Sequence, residues 1–532
     1  MKVDIKFIFR RFWNFLKIFL RNKRGIAGLG IILFFVFIAL VGPFLTPYNQ
    51  LGEDPNRPNM PLASSEAAPG WLRILPAGLG GQPTLSENVY VVRDPTFSVS
   101  NWRWPGGEWN VSVSPDVGLA VDVRREEQGG YPPGTGDGCL VVSFKRTGTQ
   151  VYGNVSIRIY KEFDYPYAGP PGIGNMKANV FVNGSVHKAI RRVWNVTKSD
   201  YELREVDVYD VDGSLWFFAE KIDVGGGFKL WPTADYRSLL LNESGFFVVK
   251  NEWDTASPLI KADTIFPSSG RYRFGVEILL IDHYNVTENA ELEVRLDNVD
   301  MTLLGTSWGL LGTDFFGRDL FAQLIYGARV SLYVGLLSAV LSVVIGLVIG
   351  LAAGYLGRIA DEFLMRVSDI LLVLPGLPLL IVLFAVLGAS IENLIILNGF
   401  LGWMGFAKVV RSQVLSIRER SFIEAARASG AGRSYIIFRH VLPNVMGLVY
   451  VSLALSVPGA IVSEAALSWL GFADPRRMSW GRMLYEMQAH NAITKWWWVI
   501  PPGLCIAAIS VAFILLGYAL DDVLNPKLRV RR

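Results

Sequence analysis

The sequence RERSFIEAARASGAGRSYIIFRHVLPN, residues Arg418–Asn444, decides how the rest of the chain is arranged. It holds five arginines and two glutamates, and long runs of uncharged residues lie on both sides of it. A charged side chain at the centre of a bilayer costs at least about 2.5 kcal/mol, so this segment must lie in water. Its positive excess predicts the cytoplasmic side, and the flanking apolar runs predict membrane spans.

Two short helices are predicted inside this segment. Ser421 and Glu424 have the spacing of a capping box, which predicts the start of the first helix. Gly430 is expected to end that helix. A second helix over Ser434–Val441 is expected to stop at Pro443, because proline removes a backbone donor. The alanines of the first helix leave a smooth face that a partner protein can approach closely.

The order of residues in this segment resembles a known signature. It consists of a Glu-Ala-Ala triplet, a glycine six residues after the glutamate, and a Leu-Pro pair, here Glu424, Ala425, Ala426, Gly430, Leu442 and Pro443. That order is similar to the coupling loop of ABC importer permeases. Three flanking sequences resemble the C-type subunit of the oligopeptide/dipeptide permeases: Gly312–Leu332, Asp361–Pro375 and Ser463–Phe472. The resemblance covers Arg21–Tyr48 and Leu311–Arg529, and His440 departs from it, since many importers have Ile there.

The resemblance implies a type I ABC importer fold with six transmembrane helices. It also implies the partners: a second permease subunit, two cytosolic ABC ATPases that each bind one coupling loop, and an extracellular solute-binding protein. The chain itself has no GxxxxGK[ST] sequence, and Gly430–Tyr435 lacks the lysine that a phosphate-binding loop requires. ATP hydrolysis is therefore expected in separate subunits, and the chain is expected to be a non-catalytic transport subunit with no cofactor.

The apolar runs predict an all-α polytopic membrane domain. An apolar stretch of about 20 residues can cross a bilayer. The predicted spans are Ile26–Leu45, Val330–Tyr355, Ser368–Gly388, Glu392–Val410, Val445–Trp469 and Trp496–Leu520. The first span follows eight Lys and Arg residues and lacks a small-residue cleavage site, which predicts a retained anchor in the plasma membrane. Both chain ends are then cytoplasmic, and lipid surrounds the spans.

Residues 49–306 have a different character and predict an extracellular insertion between the first two spans. Gly, Pro and Asn are dense, and apolar residues alternate with polar ones in short stretches typical of half-buried β-strands. These stretches are Cys139–Lys145, Val155–Tyr160, Ala178–Val182, Leu215–Ala219, Tyr272–Ile281 and Leu292–Leu296. Many short strands without helical periodicity predict an all-β sandwich, and the last of them resemble a jelly-roll. Residues 1–48 and 307–532 are predicted to form the membrane domain, the latter as the permease core.

Sequons for N-glycosylation place the insertion outside the cell. The motif Asn-x-Ser/Thr occurs at Asn110, Asn154, Asn183, Asn195, Asn242 and Asn285, all of them inside residues 49–306. Acceptors of this type are used only on the secreted side of a membrane. Six of them favour a glycoprotein, and with the family resemblance they favour an archaeal host. Chance occurrence in an Asn-rich segment is the alternative.

Several residues of the predicted spans are candidates for the transport pathway. Pro375 and Pro378 are expected to bend the third span beside a gate, although kinks of this kind are also common in inert spans. Glu464 is a carboxylate inside the fifth span, either functional or held in a structural hydrogen bond near the outer end. Gly312–Arg329 predicts an amphipathic helix on the outer surface, either guarding the entrance or only docking on the spans.

Composition excludes several classes of function. The chain has 532 residues, of which 51% are hydrophobic and 18% charged, and the net charge is +4. A small, spread charge favours no nucleic-acid surface. The two cysteines, Cys139 and Cys505, lie in a polar region and in an apolar span, so no disulfide is expected. The four histidines are scattered without metal-ligand spacing, and no catalytic constellation is present.

The sequence therefore predicts half of the translocation pathway of an ATP-driven importer. Its cargo is either an oligopeptide or an oligosaccharide, since this permease type is associated with both. The alternative is a membrane-anchored extracellular protein that binds glycans or peptides, with the insertion as its functional part. That alternative explains the insertion better, but it leaves the Glu-Ala-Ala loop and five further spans unexplained.

Overall fold

The structure is a computed structural model, and it groups the chain into two units. It describes residues 19–92, 109–115, 120–126, 138–148, 151–195, 200–209, 211–222, 227–230, 239–240, 245–254, 262–282 and 289–524. The membrane unit comprises residues 1–60 with 318–532, and the insertion unit comprises residues 61–317. These limits lie close to the predicted ones at 48/49 and 306/307, which stay predictions.

The described part of the membrane unit is mainly helical. Its helices are α1 (Lys23–Leu45), α2 (Leu320–Leu356), α3 (Arg358–Val373), α4 (Gly376–Leu387), α5 (Ile391–Arg418), α6 (Ser421–Ala428), α7 (Arg433–Ile436), α8 (Leu442–Trp469), α9 (Trp480–Ala489) and α10 (Trp496–Leu524). A π-helical turn, Ile437–Val441, joins α7 to α8. Among the described residues, five helices are long and apolar enough to cross a membrane, or six if the bent pair α3–α4 is one span. The predicted count of six therefore stays a prediction.

The second span is longer than its apolar run suggested. Helix α2 has 37 residues and is about 55 Å long at 1.5 Å per residue, well beyond a hydrocarbon core of about 30 Å. The separate amphipathic helix predicted over Gly312–Arg329 is wrong. The residues before Asp319 form turns and irregular backbone and no helix. The Asp319 carboxylate then caps α2 by accepting a hydrogen bond from the Ala322 amide at 2.6 Å. No helix-breaking residue follows, so Leu320–Arg329 forms the first turns of α2 itself.

Small residues let α2 and α5 cross closely. Gly346, Gly350 and Gly354 lie four residues apart on one face of α2, and each meets atoms of α5. A Cβ atom added at Gly350 would lie 2.7 Å from the Ala407 carbonyl oxygen and 2.6 Å from Val410 Cβ. Such contacts leave no room for a side chain, so these glycines serve helix packing.

The predicted third span is broken rather than smoothly bent. Helices α3 and α4 meet at an angle of 90°. Leu374 is extended, as expected of a residue before proline, and Pro375 precedes the first residue of α4. Pro378 lies in the first turn of α4, where its missing N–H has no intrahelical partner to lose. Pro375 therefore marks the break, and Pro378 does not add a second bend.

The insertion unit is built of β-strands. They are β1 (Ala68–Pro69), β2 (Val89–Tyr90), β3 (Asn110–Ser114), β4 (Val121–Glu126), β5 (Cys139–Thr147), β6 (Gly153–Tyr165), β7 (Ile173–Gly184), β8 (Val186–Asn195), β9 (Asp200–Tyr209), β10 (Asp212–Lys221), β11 (Gly227–Leu230), β12 (Leu239–Leu240), β13 (Gly245–Asp254), β14 (Gly270–Asp282), β15 (Asn289–Leu304) and β16 (Ser307–Trp308). Short helical turns lie at Gly70–Arg73, Ala77–Leu79 and Ala262–Ile265. All six predicted strand stretches fall inside these strands and are confirmed.

Two antiparallel sheets face one hydrophobic core. The first has the order β11-β10-β14-β6-β3, with β12 beside β10, and the second has the order β13-β7-β15-β5-β4, with β2 beside β15. The core takes alternate residues from both sheets, such as Ile157 and Val276 from the first and Val142 and Val180 from the second. This alternation is what the period-two pattern predicted. The jelly-roll type of the sandwich stays a prediction.

Candidate functional site

The Glu-Ala-Ala segment forms a helix that ends in a glycine turn of defined geometry. Gly430 has φ +82°, a backbone conformation that favours glycine. Its N–H donates to the Arg427 carbonyl at 3.0 Å, and the Ala431 N–H donates to the Ala426 carbonyl at 3.1 Å. This pair of bonds is a Schellman motif, which satisfies the last carbonyls of α6. The spacing between Ala426 and Gly430 thus fixes where the chain turns between α6 and α7.

The start of α6 differs from the prediction. Helix α6 begins at Ser421, and the residue in the capping position is Arg420, whose side chain makes no capping bond. The capping box of Ser421 and Glu424 is therefore wrong. Helix α5 ends at Arg418, only two residues before the capping position, and the Arg420 N–H already donates to the Ile417 carbonyl. This tight junction puts Ser421 inside the helix.

Buried isoleucines hold the paired helices against the spans. Ile423 of α6 and Ile436 of α7 are buried and belong to one hydrophobic cluster. The cluster also takes Tyr355 from the end of α2, Val414 from α5 and Val445 from α8. A rigid connection between α6 and three membrane helices follows from this packing, since a close-packed core transmits displacement.

The opposite face of the paired helices is exposed. Glu424 and Ala425 point to solvent. Three aromatic side chains are also exposed: Phe422 at 39%, Tyr435 at 57% and Phe438 at 69%. The His440 ring lies 5.8 Å from the Tyr435 ring and 6.3 Å from the Phe422 ring. A group of exposed aromatic side chains is a composition typical of a protein-binding surface.

The second helix of the pair does not stop at Pro443. The π-helical turn runs directly into α8, and Leu442 and Pro443 are the first two residues of that helix. The predicted stop is wrong because a missing N–H costs little where the hydrogen-bond register already changes. The Asn444 side-chain amide donates to the His440 carbonyl at 2.6 Å, which links the turn before Pro443 to the first turn of α8. The pair is therefore continuous with the span that follows it.

Glu464 is buried in α8 and is held by serines. Its Oε1 accepts hydrogen bonds from Ser468 Oγ at 2.9 Å and from Ser479 Oγ at 2.6 Å. Its Oε2 is buried and has no hydrogen-bond partner among the described residues. The Gly481 backbone lies so close that an added Cβ would be 3.1 Å from both carboxylate oxygens. The carboxylate thus ties α8 to the segment that begins α9.

The sequons fall on strands and on residues outside the described set. Asn154 in β6 and Asn183 in β7 have exposed side chains, and the side chain of Asn110 in β3 is half-buried. Asn195 ends β8, and its side chain lies outside the described set. Asn242 and Asn285 lie outside the described residues.

The membrane unit contains a buried network of ion pairs that none of the sequence motifs predicted. Arg318 Nη2 donates to Glu486 Oε2 at 2.7 Å, and Arg482 donates to Glu486 Oε1 at 2.9–3.0 Å. All three side chains are between 10% and 12% exposed. The network joins α9 to the residue before the cap of α2. Only the four-residue spacing of Arg482 and Glu486 is a local signal, because Arg318 lies 168 residues away.

Ion pairs also fasten the polar face of α3 to α5. Arg411 pairs with Asp361 through two nitrogens, with Nη2 and Oδ2 2.6 Å apart, and Lys408 pairs with Asp369. The apolar face of α3 remains exposed in the single chain, with Ile359 at 88%. Lys408, which lies inside the predicted fourth span, thus pairs with the neighbouring helix.

The thiol of Cys139 lies in the insertion unit and is fully buried. Burial raises its pKa to about 11, so it stays protonated near neutral pH. Cys139 and Cys505 are both free, as predicted. Within the described residues, no group of three or more His, Cys, Asp or Glu side chains is placed to hold a metal ion.

The helices and the Glu-Ala-Ala turn define a class: a multi-pass membrane permease. The model of the binding-protein-dependent transport system inner membrane component matches residues 346–530. The model of the N-terminal transmembrane domain of oligopeptide transport permease C matches residues 10–62. The two matched ranges are separated by residues 63–345, which contain the insertion.

Curated relatives agree with both models. The dipeptide transport system permease protein of Alkalihalophilus pseudofirmus is 39% identical over 219 residues, which are 41% of this chain and 72% of the relative. The oligopeptide transport system permease protein of Bacillus subtilis is 38% identical over 220 residues, 41% of this chain and 72% of the relative. A probable peptide ABC transporter permease of Sinorhizobium fredii is 44% identical over 222 residues, 42% of this chain and 76% of the relative. The chain belongs to the oligopeptide/dipeptide-type family of ABC permeases, and to its C-type subunits.

Solved structures similar to part of the chain include carbohydrate-binding modules. One, in complex with β-1,4-galactotriose, has a TM-score of 0.20 and 13% identity and covers 40% of this chain and 97% of its own. Another, a family 11 module from Clostridium thermocellum, has a TM-score of 0.19 and 12% identity and covers 42% of this chain and 98% of its own. At TM-scores this low, the likeness establishes neither a shared fold nor a ligand.

Proposed function

We propose that the chain is a permease subunit of an ATP-driven importer of peptides. The names of its relatives, which are dipeptide and oligopeptide permeases, support peptide cargo rather than oligosaccharides. The chain would form half of the pathway, with a second permease subunit forming the other half. Two cytosolic ABC ATPases would drive the cycle, and an extracellular solute-binding protein would deliver the peptide.

The observation that carries this proposal is the two-sided character of α6. One side is buried through Ile423 in a cluster that takes residues from three spans. The other side presents Glu424 and Ala425 to solvent, and Phe422 and Tyr435 of the same pair of helices are also exposed. A surface of this kind can receive an ATPase, and the buried side can pass its displacement to α2, α5 and α8 as a rigid body. Gly430 and the Leu442–Pro443 junction keep the pair of helices in that position.

The same proposal fixes the orientation of the chain. The α6–α7 pair and both chain ends lie in the cytoplasm, six spans cross the plasma membrane, and the insertion is extracellular. The insertion is a jelly-roll-like sandwich that carries glycans at its sequons, and the host is a glycosylating organism such as an archaeon. The exposed side chains of Asn154 and Asn183 support use of those two sequons.

Pro375, Pro378 and Glu464 take different parts in gating. The break at Pro375 lets α3 and α4 move as separate bodies, which is the property that a gate requires. Pro378 supports the start of α4. Glu464 is a positioning residue that holds α9 on α8 through Ser479, so that the outer side of the span keeps its shape during the cycle.

The decisive experiment exchanges one exposed charge for its opposite. The tagged chain is solubilised from its native membranes, and co-purifying ATPase is detected by photolabelling with 8-azido-ATP. Glu424→Arg is expected to lose the labelled ATPase, because the reversed charge faces the partner. Glu419→Arg is the matched control, since Glu419 is also exposed but lies just before α6. Equal recovery of labelled ATPase with Glu424→Arg and with the wild type would refute the proposed coupling.

A further inference from the structure

One outer face of the insertion unit carries a polar groove of about 480 Å³. The groove lies on the second sheet, and residues of β4, β5, β7 and β15 line it. Its volume is within the usual range of ligand pockets, about 300–1,000 Å³. Asn183 and the two residues that complete its sequon, Gly184 and Ser185, also line it. Two cations and two carboxylates face the same space: Arg124, Lys145, Glu291 and Glu293.

The strand pattern explains why this groove is polar. Phe144 and Leu292 belong to the hydrophobic core, so their sequence neighbours point to the opposite face of the sheet. Some of those neighbours form one row across four strands, in which each residue is paired with the next: Asp122, Ser143, Glu293 and Asn183. The row crosses three strand spacings and is about 14 Å long. It begins on β7 and ends on β4, the last strand in the described order of this sheet.

The polar groups of the groove can be reached from solvent. Lys145 and Glu291 are 62% and 57% exposed, and Arg124 is 44% exposed. Lys145 pairs with Glu291, and Arg124 pairs with Asp122 and Glu126. Exposed ion pairs are weak, so these side chains can turn to a ligand at little cost. A ligand whose groups both donate and accept hydrogen bonds would satisfy the cations and the carboxylates together.

We infer that the groove holds the first sugars of a glycan attached to Asn183. The inference rests on the proposed use of this sequon. Sugar hydroxyls both donate and accept, so they can bind carboxylates and cationic groups side by side. The exposed Asn183 side chain lines the groove, and attachment there gives the sugars a high effective concentration at its polar groups. The glycan then runs from β7 toward Arg124 and holds the edge strand β4 against the sheet.

Asn154 offers a matched sequon on the other side of the sandwich. It lies in β6 of the first sheet, and its side chain is also exposed. Val155 beside it belongs to the core, so the Asn154 side chain points away from the core and from the second sheet. The first sugars at Asn154 therefore lie on the opposite outer face. Removal of that glycan is expected to leave β4 unchanged.

The test measures hydrogen exchange at the backbone amides of β4 in the full chain. Protein from a glycosylating host is compared with protein from a host that lacks N-glycosylation, after mass spectrometry has located the glycans. The readout is the ratio of the two exchange rates, without glycans over with glycans. Amides of an edge strand exchange through local opening, so a glycan that holds β4 slows their exchange. Two hydrogen bonds from the glycan would give a ratio of about ten or more in the wild type.

The variants separate the glycan from the side chains. The ratio is expected to stay at about ten in Asn154→Gln and to fall to about one in Asn183→Gln. Glu291→Ala keeps the sequon and removes a carboxylate of the groove, so it should lower the ratio by about twofold or more. Each ratio compares one variant with and without glycans, so the direct effect of a substitution on β4 cancels.

Three results would overturn this inference alone. They are a ratio of about one in wild-type protein that carries a glycan at Asn183, a ratio that Asn183→Gln leaves unchanged, and a ratio that Glu291→Ala leaves unchanged. Absence of a glycan from Asn183 in the glycosylating host would overturn the inference together with the proposed use of the sequon. The proposed import of peptides is tested separately, through the recovery of the ATPase.

Discussion

Glu486→Gln is the sharpest test of how the membrane unit is held together. The substitution keeps the size of the side chain and removes its charge. The Glu486 carboxylate contacts the guanidinium groups of Arg318 and Arg482, at 2.7 Å and 2.9 Å. Both arginines are about nine-tenths buried, so water screens these contacts poorly.

The expected loss of stability is about 3–5 kcal/mol, the range found when one partner of a buried ion pair is removed. Glu486→Gln weakens the contacts of this side chain with both arginines, whereas Arg482→Gln keeps the contact of Arg318 with Glu486 at 2.7 Å. Its loss is therefore expected to be smaller, even though Arg482 also donates to the Pro475 carbonyl at 2.8 Å.

The free energy of unfolding is measured for the purified protein in mixed micelles by denaturant titration. Glu392→Gln is the matched control, because Glu392 pairs with Arg477 at 3.2 Å but the two side chains are 54% and 44% exposed. An exposed pair contributes at most about 1 kcal/mol. Equal losses for Glu486→Gln and Glu392→Gln would refute the conclusion that burial decides the strength of this network.

Two further predictions concern the spans and the insertion. Gly350→Ala places a Cβ 2.6 Å from Val410 Cβ and should destabilise the protein by about 1–3 kcal/mol, whereas Gly30→Ala should be neutral or stabilising by up to about 1 kcal/mol; a stabilised Gly350→Ala protein, measured by the same titration, would contradict the tight crossing of α2 and α5. In a glycosylating host, Asn154→Gln and Asn183→Gln should each remove one glycan, seen as a step in electrophoretic mobility, and unchanged mobility would show that these exposed sequons are not used.

The glycine turn of the Glu-Ala-Ala segment could be predicted from sequence because its determinants are local. Gly430 is needed where φ is positive, and the distance from Ala426 to Gly430 is set by the bonds that end α6. The six strand stretches of the insertion could be predicted for the same reason. Apolar residues alternate with polar ones wherever one side of a sheet is buried. Glycines four residues apart, such as Gly346 and Gly350, are also a local pattern, because they share one face of a helix and let another helix approach.

The predictions were wrong where neighbouring elements decide the position at which a helix begins or ends. Ser421 has the spacing of a cap, but the end of α5 moves the capping position to Arg420. Proline commonly ends a helix, but a π-helical turn leads directly into α8, and Pro443 lies in the first turn of that helix. The Arg318–Glu486 pair joins residues 168 apart in sequence, and no pattern in either segment indicates the other. Local propensity gives way to tertiary context in each case.

The placement of these contacts favours movement at one point of the membrane unit over another. Helix α9 is tied to α8 through Ser479 and Glu464, and to α2 through Glu486 and Arg318. Those two helices are joined again at their other ends, where the cluster around Ile423 takes residues from both. Two long helices fastened at both ends act as one body. Helices α3 and α4 meet at a 90° break, so the angle between them can change without bending a continuous helix. A displacement that enters at α6 is therefore expected to change the angle at Pro375 before it changes the crossing of α2 and α8.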